Sequence, residues 1–132
     1  MSASDIEVAR EIYEAFNRGD VERVKELFDD DIEWEEPAGY FVPEARGTTR
    51  GKDAVFAVFA QYPVLLKTFA PTPEEFYDAG DGVVFVTGTQ RAEAHDGRTA
   101  DSAFINLWRI RDGRATLHRS WSDTKTLGSV MD

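Results

Sequence analysis

The sequence predicts an α+β fold in which three helices from the N-terminal half pack on a curved antiparallel sheet from the C-terminal half. Apolar residues recur at helical spacing in the first half, whereas the second half is rich in Val, Ile, Phe, Thr and Trp. Three glycine-containing turn signals separate the strands of the second half. A chain of 132 residues can bury one hydrophobic core, so we expect a single domain over residues 1–132.

The first half contains three helix signals. The motif Ser4-Asp5-Ile6-Glu7 is a capping box, which predicts the start of the first helix. Asp20 is predicted to cap a second helix, which ends before the acidic run at residues 29–31. Residues 52–62 have apolar side chains on one helical face and are followed by Pro63, which predicts a third helix that ends there.

The strands follow from β-branched and aromatic runs bounded by turn residues. They are predicted at residues 32–36, 75–79, 83–94, 99–111 and 115–123. Hairpin turns are predicted at residues 80–82, 95–97 and 112–113, where glycine supplies positive φ. The last four strands therefore form an antiparallel meander, and residues 38–51 are predicted to be a loop.

The predicted sheet has an apolar face on each side. The helices cover one face, whereas Ala103, Ile105 and Leu107 alternate toward the other. An apolar face without helices needs another cover, and a second copy of the chain is the simplest one. We therefore expect a homodimer that forms through the outer face of the sheet.

The composition excludes several functions. The net charge of −10 and the scattered Lys and Arg residues argue against nucleic acid and anionic membranes as partners. The chain has no cysteine and two histidines, so we expect no disulfide, thiol nucleophile or metal site. The N-terminus lacks a signal-peptide pattern, and the nearly uncharged stretch 54–66 is too short to span a bilayer. A soluble cytoplasmic protein is the expectation.

The order of these elements resembles the nuclear transport factor 2-like superfamily, and within it the SnoaL-like group that includes polyketide cyclases, limonene-epoxide hydrolases and ketosteroid isomerases. The likeness rests on Phe16-Asn17-Arg18-Gly19-Asp20, the run 27–31, Glu36-Pro37, the run 50–54, the run 111–114, Leu117, Arg119 and Asp123. The resemblance implies a cone-shaped half-barrel with an internal pocket. It also implies small-molecule chemistry without a metal or organic cofactor, although the superfamily includes binding and assembly domains as well.

Glu36 is the candidate base. It shares a strand face with Trp34, and a carboxylate that faces an apolar cavity loses hydration, so its pKa rises toward the working pH. The run Glu36-Pro37-Ala38-Gly39 resembles the segment that carries the proton-shuttling carboxylate of ketosteroid isomerases. The structural alternative is a solvated strand end, because Glu33 and Glu35 are neighbours.

Two further candidates come from the later strands. Asn106 shares a face with Phe104 and Trp108, where its amide either donates to a ligand oxygen or links neighbouring strands. The resemblance places Asn106 at the oxyanion-hole acid of ketosteroid isomerases. His118 lies on the last strand, where it is a candidate acid, base or donor near neutral pH or a structural residue. If charged, His118 would oppose the rise in the pKa of Glu36.

The resemblance to limonene-epoxide hydrolases is incomplete. Ser120 stands where their essential aspartate is expected, and Trp34 and Glu36 replace the tyrosine and asparagine that hold their water. Their Arg-Xaa-Asp motif appears here as Arg91-Ala92-Glu93. These differences argue against epoxide hydrolysis by their mechanism.

Three residues are predicted to lie outside the chemistry. Counting from the motif 16–20, Ile12 occupies the position of the oxyanion tyrosine of ketosteroid isomerases, so Tyr13 is expected to pack elsewhere. Arg119 and Asp123 are expected to form a structural ion pair.

The leading hypothesis is a cofactor-free isomerase or cyclase that transfers a proton next to a carbonyl. Glu36 is its base, and Asn106 and His118 donate to the developing oxyanion. The pocket is expected to hold an apolar or aromatic molecule among Trp34, Phe104, Trp108 and Ser120. The alternatives are a binding protein that sequesters such a ligand without catalysis and a dimerisation module with a filled core.

Overall fold

Two helices begin the chain in the computed structural model, which describes residues 4–131. Helix α1 (Asp5–Asn17) begins as predicted, because the Ser4 hydroxyl accepts the backbone N–H of Glu7 at 3.2 Å. Helix α2 (Val21–Leu27) is capped by the side chain of Asp20. Both helices bury one apolar face against the sheet, which places α1 over the residues that later strands direct inward.

The third predicted helix is divided into two. Helix α3 covers Lys52–Phe59, and a separate turn of helix, α4, covers Tyr62–Leu65. Pro63 lies in the first turn of α4 rather than after the end of α3. Proline is tolerated in a first turn, because the N–H that it lacks has no helical partner there. This restart turns the side chain of Tyr62 toward the sheet.

A six-stranded sheet forms the other layer. Its strands are β1 (Phe28–Glu36), β2 (Gly47–Arg50), β3 (Thr68–Gly80), β4 (Val83–Glu93), β5 (Thr99–Arg111) and β6 (Arg114–Ser122). The strand order is β2-β1-β6-β5-β4-β3, and all neighbours are antiparallel except β1 and β6. The predicted α+β fold, with helices on a curved and mostly antiparallel sheet that stays open, is confirmed.

Several boundaries differ from the prediction. The predicted loop contains β2, which pairs with β1. Strand β3 begins at Thr68 rather than at Glu75 and includes Pro71 and Pro73. Proline is tolerated there because β3 is an edge strand, where one row of backbone groups needs no partner.

The C-terminus adds a helix that was not predicted. Asp123 does not continue β6 but caps helix α5 (Thr124–Gly128), which a 3₁₀ turn at Ser129–Met131 follows. The predicted ion pair between Arg119 and Asp123 is wrong, because Arg119 pairs with Glu35 on β1. The Asp123 carboxylate instead accepts from the backbone and hydroxyl of Thr126.

Gly88 allows the sheet to curve. A Cβ at this position would collide with the carbonyl oxygen of Thr72 and come within 3.0 Å of the Phe104 ring. Only glycine lets β3 approach β4 this closely, next to a bulge in β3. The curvature gives the sheet a concave inner face.

Two apolar clusters fill the space around that face. One cluster lies between α1, α2, α3 and the inner face of the sheet. The other closes one end of the sheet and joins the loop that follows β1 to the C-terminal helix. Within residues 4–131, no helix is both long and apolar enough to cross a bilayer.

Candidate functional site

A cavity lies between the helices and the concave face of the sheet. It contains about 560 Å³ of space that no atom fills, including its part open to solvent, and aromatic side chains form most of its wall. Its largely apolar wall with a few enclosed polar side chains makes it the candidate site for a small molecule.

Six of the seven predicted site residues lie on this cavity in two rows across β1, β6 and β5. The first row is Trp34, His118 and Trp108, and the second is Glu36, Ser120 and Asn106. The rows exist because the parallel pairing of β1 with β6 brings the first strand beside the last. Phe104 does not line the cavity, because it is buried behind the Tyr13 ring at 6.1 Å between centroids.

Glu36 is enclosed at the end of β1, with 7% of its surface exposed. Its Oε2 accepts the indole N–H of Trp34 at 2.9 Å, and its Oε1 accepts the hydroxyl of Ser120. Burial raises the pKa of Glu36 to about 7, although these two hydrogen bonds act in the opposite direction. Each carboxylate oxygen keeps a further lone pair for a proton.

Tyr13 points into the cavity, so the expectation that it packs elsewhere is wrong. Its hydroxyl oxygen accepts from Asn106 Nδ2 at 2.6 Å and from Trp108 Nε1 at 2.9 Å. Because two donors fill the oxygen, the proton of Tyr13 is left to donate, and no described residue accepts it. Burial also raises the pKa of Tyr13, which keeps the hydroxyl protonated.

Asn106 lines the cavity and also positions the Tyr13 hydroxyl. Its Nδ2 holds the tyrosine oxygen, together with the indole of Trp108. The amide thus orients the donor in addition to lining the cavity. The sequence placed Asn106 on the inner face but did not predict its partner on α1, 93 residues away.

His118 lies between two indoles at the base of the cavity. Its ring stacks on Trp34 with centroids 3.6 Å apart, and Trp108 lies on another side at 4.6 Å. Burial lowers the pKa of His118 to about 3, so the ring is neutral near pH 7 and does not oppose the rise in the pKa of Glu36 by its charge. Its enclosed Nδ1 has no hydrogen-bond partner within residues 4–131.

Three polar residues of the cavity were not predicted from the sequence. Tyr40 belongs to the loop after β1, Tyr62 begins α4, and Gln90 lies on the inner face of β4. The alternation of β4 places Gln90 on the same face as Val86, which could have identified it. No local pattern identifies the two tyrosines, since a loop and a one-turn helix carry them.

The remaining charged candidates lie on the outer face of the sheet, away from the cavity. Arg91 pairs with Asp101, and Glu93 pairs with Lys67. The described residues that line the cavity include no Lys or Arg. Within residues 4–131, no three His, Asp or Glu side chains are grouped so that they could hold a metal ion.

Comparison with known families agrees with this architecture. The SnoaL-like domain family matches residues 9–118. A nuclear transport factor 2-like protein of unknown function from Burkholderia pseudomallei is 31% identical, with 98% of each chain covered and a TM-score of 0.87.

Two other solved structures are similar. TerC, which was co-crystallised with polyporic acid, is 30% identical over 96% of this chain and 97% of its own, with a TM-score of 0.86. IdmH from Streptomyces antibioticus, a proposed polyketide cyclase, is 24% identical over 98% of this chain and 99% of its own, with a TM-score of 0.81, and shows the fold alone. No curated protein sequence matches the chain significantly.

Proposed function

Because this chain belongs to the SnoaL-like domain family of the nuclear transport factor 2-like superfamily, we propose that it transfers a proton next to the carbonyl of an apolar or aromatic molecule. The reaction is an isomerisation or a cyclisation and needs no metal or organic cofactor. The burial of the Glu36 carboxyl in an aromatic cavity carries this proposal. A carboxyl with a pKa of about 7 exchanges a proton readily near neutral pH.

The chemical step uses Glu36 and Tyr13. A free lone pair of the Glu36 carboxylate takes a proton from the carbon next to the carbonyl, and the C–H electron pair moves into a C=C bond. The carbonyl oxygen becomes an enolate oxygen, which accepts a hydrogen bond from the Tyr13 hydroxyl. In an isomerisation, Glu36 returns the proton to another carbon. In a cyclisation, the enolate carbon attacks a second carbonyl and the proton passes to the new alkoxide.

The surroundings suit this chemistry. Trp34 and Ser120 hold the carboxylate by hydrogen bonds to its two oxygens, so its orientation is defined before a ligand enters. His118 lines the cavity as a neutral ring, so it adds no charge there. TerC, at 30% identity, was co-crystallised with polyporic acid, which supports a small molecule as the ligand of this cavity.

Deuterium exchange into a bound ketone tests the proposal. With 1-tetralone in D₂O, we expect exchange at the carbon next to the carbonyl above the buffer rate. The rate should rise about tenfold per pH unit up to pH about 7 and level off above it, because only ionised Glu36 accepts the proton. Mass spectrometry at several pH values measures this profile.

The same experiment separates the enzyme from the binding protein. Ketone that binds, as shown by quenching of tryptophan fluorescence, but exchanges no faster than in buffer would favour sequestration without catalysis. An exchange rate that is independent of pH between 5 and 9 would show that no base with the pKa of Glu36 takes the proton.

We further propose that two copies associate through the outer face of the sheet. Ile105 and Trp121 are neighbours across β5 and β6, and both are nearly half exposed, at 46% and 45%. Leu107 adds a partly exposed apolar side chain two residues along β5. Such a patch is expected to be buried by a two-fold contact between identical faces.

Light scattering at micromolar concentration is expected to give twice the chain mass of 14.8 kDa. Ile105→Glu should give the mass of one chain, because a charge at the centre of the patch would be buried in the contact. Val21→Glu is the matched control, since Val21 is an exposed apolar residue on α2. A native protein with the mass of one chain would contradict the proposal.

A further inference from the structure

Two tyrosines meet at one part of the cavity wall, away from Tyr13. The hydroxyls of Tyr40 and Tyr62 are 3.0 Å apart, and both side chains line the cavity. The loop after β1 supplies Tyr40, whose backbone oxygen is held by the Arg46 side chain at 2.6 Å. The restart of the helix at α4 supplies Tyr62. We refer to Tyr40 and Tyr62 as the tyrosine pair.

One hydroxyl proton of the tyrosine pair takes part in no hydrogen bond with a described residue. Two hydroxyls carry two protons, and their mutual hydrogen bond uses only one. No other described residue accepts from either hydroxyl. The hydroxyl that accepts within the pair therefore keeps a proton that no described residue accepts, on a wall where Tyr40 is buried and Tyr62 is half-buried. A buried donor of this kind is expected to have a partner when the site is filled.

Tyr13 also has a hydroxyl proton that no described residue accepts, at another part of the cavity wall. Its oxygen is filled by Asn106 and Trp108, and its own proton has no acceptor among the described residues. Among the described residues, Glu36 alone brings a carboxylate to the cavity, and it already accepts from Trp34 and Ser120. The cavity thus offers two separate hydroxyl protons that no described residue accepts.

We propose that the tyrosine pair is a second ligand-binding subsite and that the natural ligand has two carbonyl oxygens, as in a quinone or a cyclic dione. One oxygen accepts from Tyr13, and the other accepts from the free proton of the pair. This inference rests on the proposed function, because it assigns the Tyr13 oxygen to the carbonyl at which the proton moves.

Electrostatics agree with a neutral ligand that spans the cavity. The charge of Glu36 contributes to raising the pKa of Tyr13, Tyr40 and Tyr62, so the carboxylate lies within electrostatic reach of both donor positions. The described lining residues include no cation. A ligand carboxylate would meet repulsion from ionised Glu36, whereas carbonyl oxygens need only the two hydroxyl donors.

Binding of two matched bicyclic probes tests the subsite. 1,4-Naphthoquinone has two carbonyls and 1-tetralone has one, and the chain has no cysteine that the quinone could alkylate. Replacing both tyrosines (Tyr40→Phe with Tyr62→Phe) is expected to reduce the preference for naphthoquinone over tetralone about fivefold. Both changes are needed, because either hydroxyl alone could donate. Tyr77→Phe, which removes an exposed hydroxyl, should leave the preference unchanged.

Infrared spectra of bound naphthoquinone give a readout that needs no variant. Both carbonyl stretches of the quinone should shift to lower frequency in the native protein, because both oxygens accept hydrogen bonds. A carbonyl band that stays at its free frequency, an unchanged preference in the double variant, or a quinone that does not bind would each overturn the subsite. If the proposed proton transfer fails, the ketone shows no exchange while the quinone result stands, so the two failures are distinguishable.

Discussion

Glu36→Gln is expected to lower deuterium exchange into bound 1-tetralone by about 10²–10⁴-fold, the usual contribution of a positioned general base. An amide oxygen is far too weak a base to take the proton. The pH dependence of any remaining exchange should also disappear, because the group that titrates near pH 7 is gone. Mass spectrometry in D₂O measures both effects, and tryptophan fluorescence shows whether tetralone still binds.

The cavity should tolerate this substitution. The amide oxygen can accept the indole N–H of Trp34, as Glu36 Oε2 does at 2.9 Å. The amide NH₂ then faces Ser120, whose hydroxyl can change from donor to acceptor. Both hydrogen bonds are retained, so the loss of exchange reports chemistry rather than misfolding.

Glu33→Gln provides the matched control, because Glu33 lies on the same strand as Glu36 but on its opposite face. There its side chain is partly exposed and pairs with Arg50. Its exchange rate should equal that of the native protein. If Glu36→Gln and Glu33→Gln both exchange at the native rate, Glu36 is not the base.

Tyr13→Phe is expected to lower the exchange rate by about 10²–10³-fold, as is usual when one donor to a developing oxyanion is removed. The substitution also leaves Asn106 Nδ2 and Trp108 Nε1 without their acceptor, since both donate to the Tyr13 oxygen. The free energy of unfolding should therefore fall by about 1–3 kcal/mol. Exchange kinetics and urea denaturation measure the two effects separately.

The pH profile identifies the role of Tyr13. The variant should keep the rise toward pH 7, because the base is intact, while the rate falls at every pH. Tyr77→Phe removes a hydroxyl from an exposed tyrosine and should change neither quantity. A Tyr13→Phe protein that is less stable but exchanges at the native rate would restrict this tyrosine to a structural role.

The strand residues of the candidate site can be predicted from the sequence, because the alternation of side chains along a strand is a local property. Trp34 and Glu36 are two residues apart on β1, and Asn106 and Trp108 are two residues apart on β5. Each pair was placed on one face without knowledge of the other strands. The two rows that these pairs form depend on strand order, which local patterns do not encode.

The misplaced residues depend on contacts that are distant in the sequence. Counting from a motif predicts that Tyr13 packs outside the site, but the rotation of a helix is set by its packing, and donors on β5 hold the Tyr13 hydroxyl. The tyrosine pair forms between a loop and a short helix 22 residues further on. The segment that contains β2 is predicted to be a loop because of its three glycines, its proline and its mixed charges, whereas its pairing with β1 is a contact that no local pattern indicates.

The position of β6 has a consequence for how the chain folds as it is synthesised. This strand is the last to leave the ribosome, yet it lies between β1 and β5 and joins Glu35 to Arg119 across 84 residues. Until it emerges, the N-terminal helices and β1 have no completed sheet to pack against, and β5 keeps an open edge. The sheet can therefore be completed only after residues 114–122 have emerged, and such non-local pairing is slow. Nascent chains should depend on chaperones more than the mature stability of the domain would suggest.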